Sequence, residues 1–542
     1  MKLKLVSALL AGCAMCISAP AFAQTPPPAA DAAPEPTEPD PSDAAADATI
    51  ANAQAVDDAQ AKIELMQQQI DALQTSIEQM KTAMVKTTPS WKGAPQYDDK
   101  DAGFSFKPRG ALQFDAGYVG FPRGEEHRGT IAGGLNYNNL GWNSRPRRLL
   151  IGADGTLPGG FRYSVEFNLA QATVDYEDMW LAYDFKNSPL TVQAGYFYPF
   201  SSLETLTSSK FTSFMERATI TDAFNMNRRL GIAFLANDKK ADSWVLQAGL
   251  FNQPLNDASF TRTGWEAAVR GVYSPMLGDT RLHLGASYHH RQNNRESLGQ
   301  QYRARPVTQL TDQQFIDTGT IASKGDDVVG LEVGAIHKSL HFAAEAQKVW
   351  VRGTYDAAGF TSQNGELDSN DVATGTTYND NPSFWGGYAE VGYYLTGETR
   401  GYKGGKFDRT KVLHPFNDGG WGAFQINGRL DLVDLKDRVG GLVVAQPSGA
   451  TAPGLGGNST YVNGGRQIAY QGSLIWNPTD YVRFMAQYAH LDVTGGPRAS
   501  ADTILVPTTS AQTGIFPFGE PTPVNKRKYG VDTFGVRAQV DF

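Results

Sequence analysis

From Phe104 to the C-terminus, apolar and polar residues alternate with a period of two. The clearest run spans 161–169, and its odd-numbered positions are all apolar: Phe161, Tyr163, Val165, Phe167 and Leu169. Such alternation is typical of β-strands that bury one face and expose the other to water. Sixteen segments of this kind are found near residues 108–120, 147–157, 160–171, 176–186, 189–197, 227–237, 241–251, 263–274, 279–291, 327–337, 339–352, 384–396, 421–433, 465–477, 480–493 and 529–542.

The connections between these segments also alternate, because tight turns follow even-numbered strands and most long loops follow odd-numbered ones. The exception is 397–420, which is long where a short turn is expected. Short turns at one end and long loops at the other are typical of a transmembrane barrel. We therefore predict an all-β fold, a 16-stranded antiparallel transmembrane β-barrel over 104–542 with an aqueous channel. A soluble β-sandwich is the alternative interpretation.

A different periodicity precedes the barrel. Apolar residues recur at alternating intervals of three and four, as in a coiled-coil seam: Ile63, Met66, Ile70, Leu73, Ile77, Met80 and Met84. We predict a coiled coil over 55–87; an amphipathic helix packed on the protein's own body is the alternative. Residues 24–54 are rich in Pro and Ala and are predicted to be a disordered linker, and 88–103 a second linker.

The first residues predict export from the cytoplasm. Lys2 and Lys4 precede an apolar run that ends in Ala21-Phe22-Ala23, which is typical of a signal peptide over 1–23. A lipoprotein site at Cys13 is the alternative. The chain has two cysteines, Cys13 and Cys16, and both lie in this segment, so disulfides do not stabilise the rest. We expect a barrel in outer-membrane lipid with a periplasmic N-terminal extension.

Composition excludes several functions. Mean hydropathy is -0.36 and no long apolar stretch follows the signal peptide, which excludes a helical multi-span membrane protein. The formal net charge of -8, or -10 after loss of Lys2 and Lys4, argues against nucleic-acid binding. Catalytic, cofactor and metal motifs were not found, so we predict neither an enzyme nor a cofactor. Strand parity places nine arginines and ten carboxylates in the lumen, so selectivity would depend on a constriction.

The long segment 198–226 carries Thr207-Ser208-Ser209-Lys210 followed by Glu216-Arg217. Here the sequence resembles the phosphate-selective porin O and P family, and the resemblance covers about 104–542. Further matching motifs are Phe104-Ser105-Phe106-Lys107, Arg147-Arg148, Leu395-Thr396-Gly397-Glu398 and Lys406-Phe407-Asp408.

The resemblance implies a homotrimeric outer-membrane porin whose inward-folded loop forms an anion-binding constriction for phosphate or polyphosphate. The residues it assigns to anion binding are Lys210, Arg147, Arg148, Arg217, Arg109, Lys107, Ser208 and Ser209. Guanidinium forks, an ammonium and hydroxyls suit phosphate oxygens. The chain departs from the family at Gly110, where the family's strand-one arginine is displaced to Arg109. Three carboxylates in 198–226 also oppose its two cations.

Two alternatives remain open. One is a general or sugar-type porin without anion specificity. The other is a barrel that anchors the envelope, with the coiled coil reaching the cell wall.

Overall fold

The computed structural model describes residues 41–87, 90–91, 93–99, 101–121, 139–170, 174–252, 264–293, 299–354, 378, 380–438, 461–497 and 528–542. The predicted signal peptide and most of the first predicted linker lie outside these residues. The chain divides into two compact units, Met1–Met84 and Val85–Phe542.

Helix α1, Pro41–Thr87, begins earlier than the heptad pattern predicts. Its heptad side chains are exposed to between 45% and 63%: Ile63, Met66, Ile70, Leu73 and Ile77. In the described part of the chain, no helix is both long and apolar enough to cross a membrane.

The second unit contains a sheet that closes on itself. The barrel strands, numbered in chain order, are β1 Phe104–Val119, β2 Gly141–Leu157, β3 Phe161–Asn168, β4 Asp175–Asp184, β5 Leu190–Phe197, β6 Arg229–Asn237, β7 Trp244–Phe251, β8 Trp265–Tyr273, β9 Thr280–Gln292, β10 Ser323–His337, β11 Leu340–Thr354, β12 Ser383–Tyr394, β13 Ala423–Arg438, β14 Tyr461–Thr479, β15 Val482–Thr494 and β16 Lys528–Asp541. Each pairs antiparallel with the next, and β16 pairs with β1. All sixteen predicted strands are confirmed within the described residues.

The two faces of the barrel follow the period-two alternation. On β6, Leu230, Ile232 and Phe234 are exposed on the outside, where a barrel meets lipid. On the inside lie buried charged side chains, including Arg270 and Arg429. Because β16 pairs with β1, each of the sixteen barrel strands, in the part of the chain that the structure describes, has a neighbour on both sides, which is the condition for β-structure in hydrocarbon.

Among the described residues, three connections fold into the lumen. The inner loop (198–228) carries the short helices α2, Leu203–Leu206, and α3, Thr219–Ala223. The ribbon loop (299–322) contains the paired strands Gln300–Ala304 and Ile316–Ile321. The inserted turn (395–422) contains the paired strands Gly401–Lys403 and Lys406–Asp408 and a 3-10 turn, Phe416–Asp418.

These segments pack into a shared apolar core with the barrel wall. Its large members include Leu203, Phe224, Tyr302, Phe315 and Phe384. The lumen is therefore partly filled with ordered protein, and the space that remains is a shaped cavity.

Part of the segment predicted to be a linker, 88–103, belongs to the sheet. Strand Ser90–Trp91 pairs with strand Pro95–Asp99, which in turn pairs with β1 through Tyr97 and Phe106. These strands are too short for period-two alternation to reveal them. One more two-residue strand, Met276–Leu277, lies against the start of β9.

Candidate functional site

A β-bulge brings two adjacent arginines into the lumen. Between β1 and β2, Gln113 pairs with Arg148 and Phe114 pairs with Pro146, so Arg147 is an extra residue. In a regular strand, neighbours face opposite sides, and a bulge re-aims one of them. Arg147 donates two hydrogen bonds to Glu216 of the inner loop, at 2.7 and 2.9 Å. Arg148 donates to the lumen-facing Gln113 at 2.8 Å.

Arginines of the barrel wall hold the inner loop in place. Arg429, which is almost fully buried, lies 2.8 Å from Glu204 of the loop and 2.5 Å from Glu390 of β12. Arg483 donates to the carbonyl oxygens of Lys210 and Thr212 at 2.9 and 2.5 Å. Ionic hydrogen bonds between rigid strands and loop backbone fix the loop against the wall.

Glu216 is shared between two wall arginines. Besides Arg147, it accepts a hydrogen bond at 2.9 Å from Arg537, which also forms a paired contact with Asp115 at 2.7 Å. Burial alone would raise the pKa of Glu216, but Arg147 and then Arg537 hold it well below its usual range. Glu216 is therefore ionised, and its ion pairs attach the inner loop to the barrel wall.

Beside the inner loop lies a cavity of about 550 Å³. The inner loop, the ribbon loop, the inserted turn and the inner face of the neighbouring strands line it. Seven cationic residues face it: Arg109, Arg147, Arg148, Arg217, Arg228, Arg305 and Lys406. Five carboxylates oppose them: Glu166, Glu177, Asp178, Glu216 and Asp222.

Four of the seven cations are neutralised at contact distance. Arg147 pairs with Glu216, as above. Arg109 lies 2.8 Å from Asp154 and 2.9 Å from Glu166. Arg228 contacts Asp178 at 2.7 Å and also Glu177. Arg305 lies 3.6 Å from Asp222, whose pKa burial raises.

The other three cations, Arg148, Arg217 and Lys406, form no ion pair with a carboxylate of the described residues. Among the described residues, no carboxylate lies within 4.0 Å of their charged nitrogens. Arg217 instead donates to the carbonyl oxygens of Glu204 and Thr207 at 3.0 and 2.8 Å. Backbone carbonyls orient a guanidinium without cancelling its charge, so this part of the cavity is positive.

The structure brings together six of the eight predicted binding residues: Arg109, Arg147, Arg148, Arg217, Ser208 and Ser209 all line the cavity. Lys210 instead borders a second space of about 30 Å³, together with Arg400 and Arg483. Its ammonium is 3.9 Å from Glu166, and burial followed by repulsion from Arg109 lowers its pKa. Lys107 is half-buried on β1 and lines neither space.

Three cavity cations were not among the predicted binding residues: Arg228, Arg305 and Lys406. Arg228 ends the inner loop just beyond the segment considered, and Arg305 lies on a connection that period-two alternation does not describe. Lys406 lies in the connection that breaks the short-turn rule and in the matching motif Lys406-Phe407-Asp408, and these two features were the available signals.

Sequence comparison places the chain among known channels. The profile described as phosphate-selective porin O and P matches residues 134–513. The chain belongs to this porin family. Together with the closed barrel, this membership identifies an outer-membrane porin.

Two relatives of this porin differ in their similarity to the chain and in what their names say about function. An uncharacterized protein of Caulobacter vibrioides is 35% identical over 470 residues, covering 85% of this chain and 78% of that protein. Porin O of Pseudomonas aeruginosa is 28% identical over 367 residues, covering 65% of this chain and 77% of Porin O. Among solved structures, the trimer form of OmpT of Vibrio cholerae matches with a TM-score of 0.41 and 11% identity, over 81% of this chain and 100% of OmpT.

Proposed function

We propose that this porin lets anions, above all phosphate or polyphosphate, diffuse passively through the cavity between the inner loop and the lumen arginines. The observation that carries the proposal is that Arg148 of β2 and Arg217 of the inner loop line one cavity and are not paired with a carboxylate of the described residues. The similarity to a protein named Porin O also supports passage of anions.

The acidic residues of the inner loop do not oppose this proposal. Glu204 is bound by Arg429, Glu216 by Arg147 and Arg537, and Asp222 faces Arg305. Each loop carboxylate is thus matched by an arginine outside the loop, which leaves the charge of Arg217 uncompensated.

The side chains at the cavity can bind phosphate oxygens, but weakly enough for the phosphate to leave again. Guanidinium N–H groups of Arg148 and Arg217 can replace water on phosphate oxygens, and the hydroxyls of Ser208 and Ser209 add neutral donors. Conduction requires binding that is favourable enough for entry and weak enough for release. The many neutralised cations around the cavity keep the attraction moderate, and the solute's own gradient drives transport.

The test is a planar-bilayer measurement on the purified porin. In asymmetric KCl the reversal potential should show preference for chloride over potassium, and phosphate should inhibit the chloride current. Arg148→Gln should reduce both effects. Arg162→Gln is the matched control, because Arg162 is a barrel arginine bonded to Asp184 and lies outside the cavity lining.

A cation-selective wild-type channel would overturn the proposal. Anion preference without inhibition by phosphate would instead favour a general porin.

A further inference from the structure

A group of polar and charged side chains lies on the outer face of the barrel, on β9, β10 and β11. This outer-wall cluster consists of Tyr288, His290, Asp327, Lys348 and Arg352. It shares its face with exposed apolar residues, since Asp327 alternates along β10 with Val329 and Leu331. Charged side chains on the lipid face of a barrel are costly at mid-membrane and cost little near the interfaces.

The cluster lies near the end of the barrel that carries the long loops. β9 ends at Gln292 and continues into the long connection 293–322, whereas β10 and β11 are joined at the other end by the turn 338–339. Two exposed tryptophans flank the cluster: Trp265, whose ring centroid is 5.2 Å from that of His290, and Trp350. Long loops face the outside of the cell, and exposed tryptophans mark the depth of lipid head groups. The cluster is therefore at the head-group level of the outer leaflet.

Asp327 holds the cluster together. Its Oδ1 accepts a hydrogen bond from the Tyr288 hydroxyl at 2.8 Å and lies 2.8 Å from Nδ1 of His290. Its Oδ2 lies 2.8 Å from Nε of Arg352. Nη2 of Arg352 lies 3.2 Å from Nε2 of His290 and donates to the carbonyl oxygen of Arg291 at 2.9 Å. These contacts fix one edge of the guanidinium against the wall.

The other edge of the guanidinium and a nearby lysine are left for a ligand. Among the residues that the structure describes, Nη1 of Arg352 makes no hydrogen bond, and no carboxylate lies within 4.0 Å of the Lys348 ammonium. Lys348 is exposed, and its ammonium lies 5.6 Å from the ring centroid of Trp350, which is two residues nearer the long-loop end. Lysines on a lipid-facing surface reach toward the interface in this way. One carboxylate thus faces two cations, so the cluster is positive.

A second group on the outer wall shows what is particular to the first. On β15 and β16, the Tyr488 hydroxyl donates to Oδ1 of Asp532 at 2.7 Å, and Nδ1 of His490 lies 2.8 Å from the same oxygen. Tyrosine, histidine and aspartate thus have the same spacing and contacts in both groups. The second group adds a carboxylate, Asp492, 3.6 Å from His490, where the first adds a guanidinium. Charge complementarity therefore favours an anionic ligand at the first group.

We propose that the outer-wall cluster binds the phosphate head group of a lipid in the outer leaflet of the outer membrane. Arg352 and Lys348 would contact the phosphate oxygens, since a guanidinium edge and an ammonium both suit them. The acyl chains would lie on the exposed apolar face that continues below the cluster, as at Leu331. A lipid fits better than free phosphate, because the cluster faces outward and lines neither cavity of the lumen.

The experiment measures lipid binding to the purified full-length porin by native mass spectrometry. Diphosphoryl lipid A is the probe, and a galactolipid without phosphate is the neutral comparison. Arg352→Gln and Lys348→Gln should each raise the half-saturating concentration of lipid A about tenfold, the effect of losing one ionic hydrogen bond. Lys338→Gln is the matched control, since Lys338 is a largely exposed lysine in the turn 338–339 at the other end. It should stay within about twofold of wild type.

A cysteine variant tests the proposal in a barrel that is already folded. The only native cysteines, Cys13 and Cys16, lie in the predicted signal peptide, so Lys348→Cys introduces a unique thiol. A cationic methanethiosulfonate reagent should restore binding of lipid A, and an anionic one should weaken it further.

Three results would overturn the proposal. The first is equal binding of lipid A and the galactolipid by wild type, and the second is unchanged lipid A binding in both glutamine variants. The third is displacement of lipid A by excess inorganic phosphate, which would indicate a site for free anions. Single-channel conductance should be unchanged in every variant, because neither Arg352 nor Lys348 lines the cavity. The proposal about lipid therefore fails or succeeds independently of the proposed transport.

Discussion

At the scale of single residues, the proposed selectivity depends on which cavity cations are paired with a carboxylate. Glu216 neutralises Arg147, whereas Arg537 keeps Asp115 as a second partner. Glu216→Gln should therefore leave Arg147 unneutralised and make the cavity more positive. We expect the anion-to-cation permeability ratio to rise by about twofold or more, as an added pore charge predicts. Reversal potentials in asymmetric KCl measure it.

The control for this variant is Asp312→Asn, because Asp312 is a largely exposed carboxylate of the ribbon loop, 4.0 Å from Arg145. This change should leave the ratio unaltered. An unchanged ratio in Glu216→Gln would show that Arg147 does not act on the permeating ion.

The same carboxylate gives a prediction about pH. Arg147 and Arg537 depress the pKa of Glu216 in the folded protein against the opposing effect of burial. A depressed pKa contributes stability above the unfolded value, and that contribution is lost only as pH falls through the folded value. Glu216 thus stays ionised through the range where exposed carboxyls titrate. The difference in selectivity between wild type and Glu216→Gln should be the same at about pH 7 and about pH 4, where an ordinary glutamate is mostly protonated. Convergence at the lower pH would contradict the ion pairs described above.

At the scale of elements, the inner loop depends on the barrel wall for its position. Arg429→Met would leave Glu204 and Glu390 buried without their cation. Removing one partner of a buried ion pair costs about 3–5 kcal/mol. We expect a lower unfolding temperature. We also expect a larger and noisier single-channel conductance, because the inner loop is no longer held against the barrel wall. Arg281→Met is the control, since Arg281 donates to carbonyls of the turn 238–243 and not to the inner loop. Quiet channels in Arg429→Met would refute the anchoring role.

The strands could be predicted from the sequence because period-two alternation is a local property of each segment. The bulge at Arg147 could not, since one extra residue in β2 is defined only by its partner in β1. Arg429 and Glu204, which form an ion pair, are 225 residues apart in the sequence. Alternation predicts that a side chain faces the lumen, but it does not predict which residue that side chain contacts. For the same reason the sequence could not show that Lys210, which is predicted to bind anions, has its ammonium 3.9 Å from Glu166 and borders the smaller space.

At the scale of the whole molecule, the barrel accounts for the composition of the chain. Its low mean hydropathy follows from strands that expose apolar residues to lipid and bury charged ones in the lumen. The net negative charge says little about the proposed selectivity, because unneutralised cations at the cavity would act on a permeating ion at close range while distant charges are screened.

Helix α1 presents a surface that the transport function does not explain. Its exposed stripe includes Ile63, Ile70 and Leu73 at heptad positions. A stripe of this kind is stabilised when helices of several copies pack together. Self-association through α1 predicts contacts between the helices of different chains. Packing of α1 on its own chain predicts no such contacts, and neither does an envelope-tethering extension without a partner helix.

Leu73→Cys tests self-association directly in the full-length porin. Leu73 occupies the seam, and no other cysteine remains once the predicted signal peptide is removed. Identical seam positions lie side by side in a parallel coiled coil, so mild oxidation should link two chains covalently, visible on non-reducing gels and reversible by dithiothreitol. Thr75→Cys, an exposed position on the opposite side of the heptad, is the matched control and should cross-link far less. Equal cross-linking at both positions, or none at Leu73, would exclude a seam between chains. Single-channel conductance should be unchanged in both variants, since neither residue belongs to the barrel.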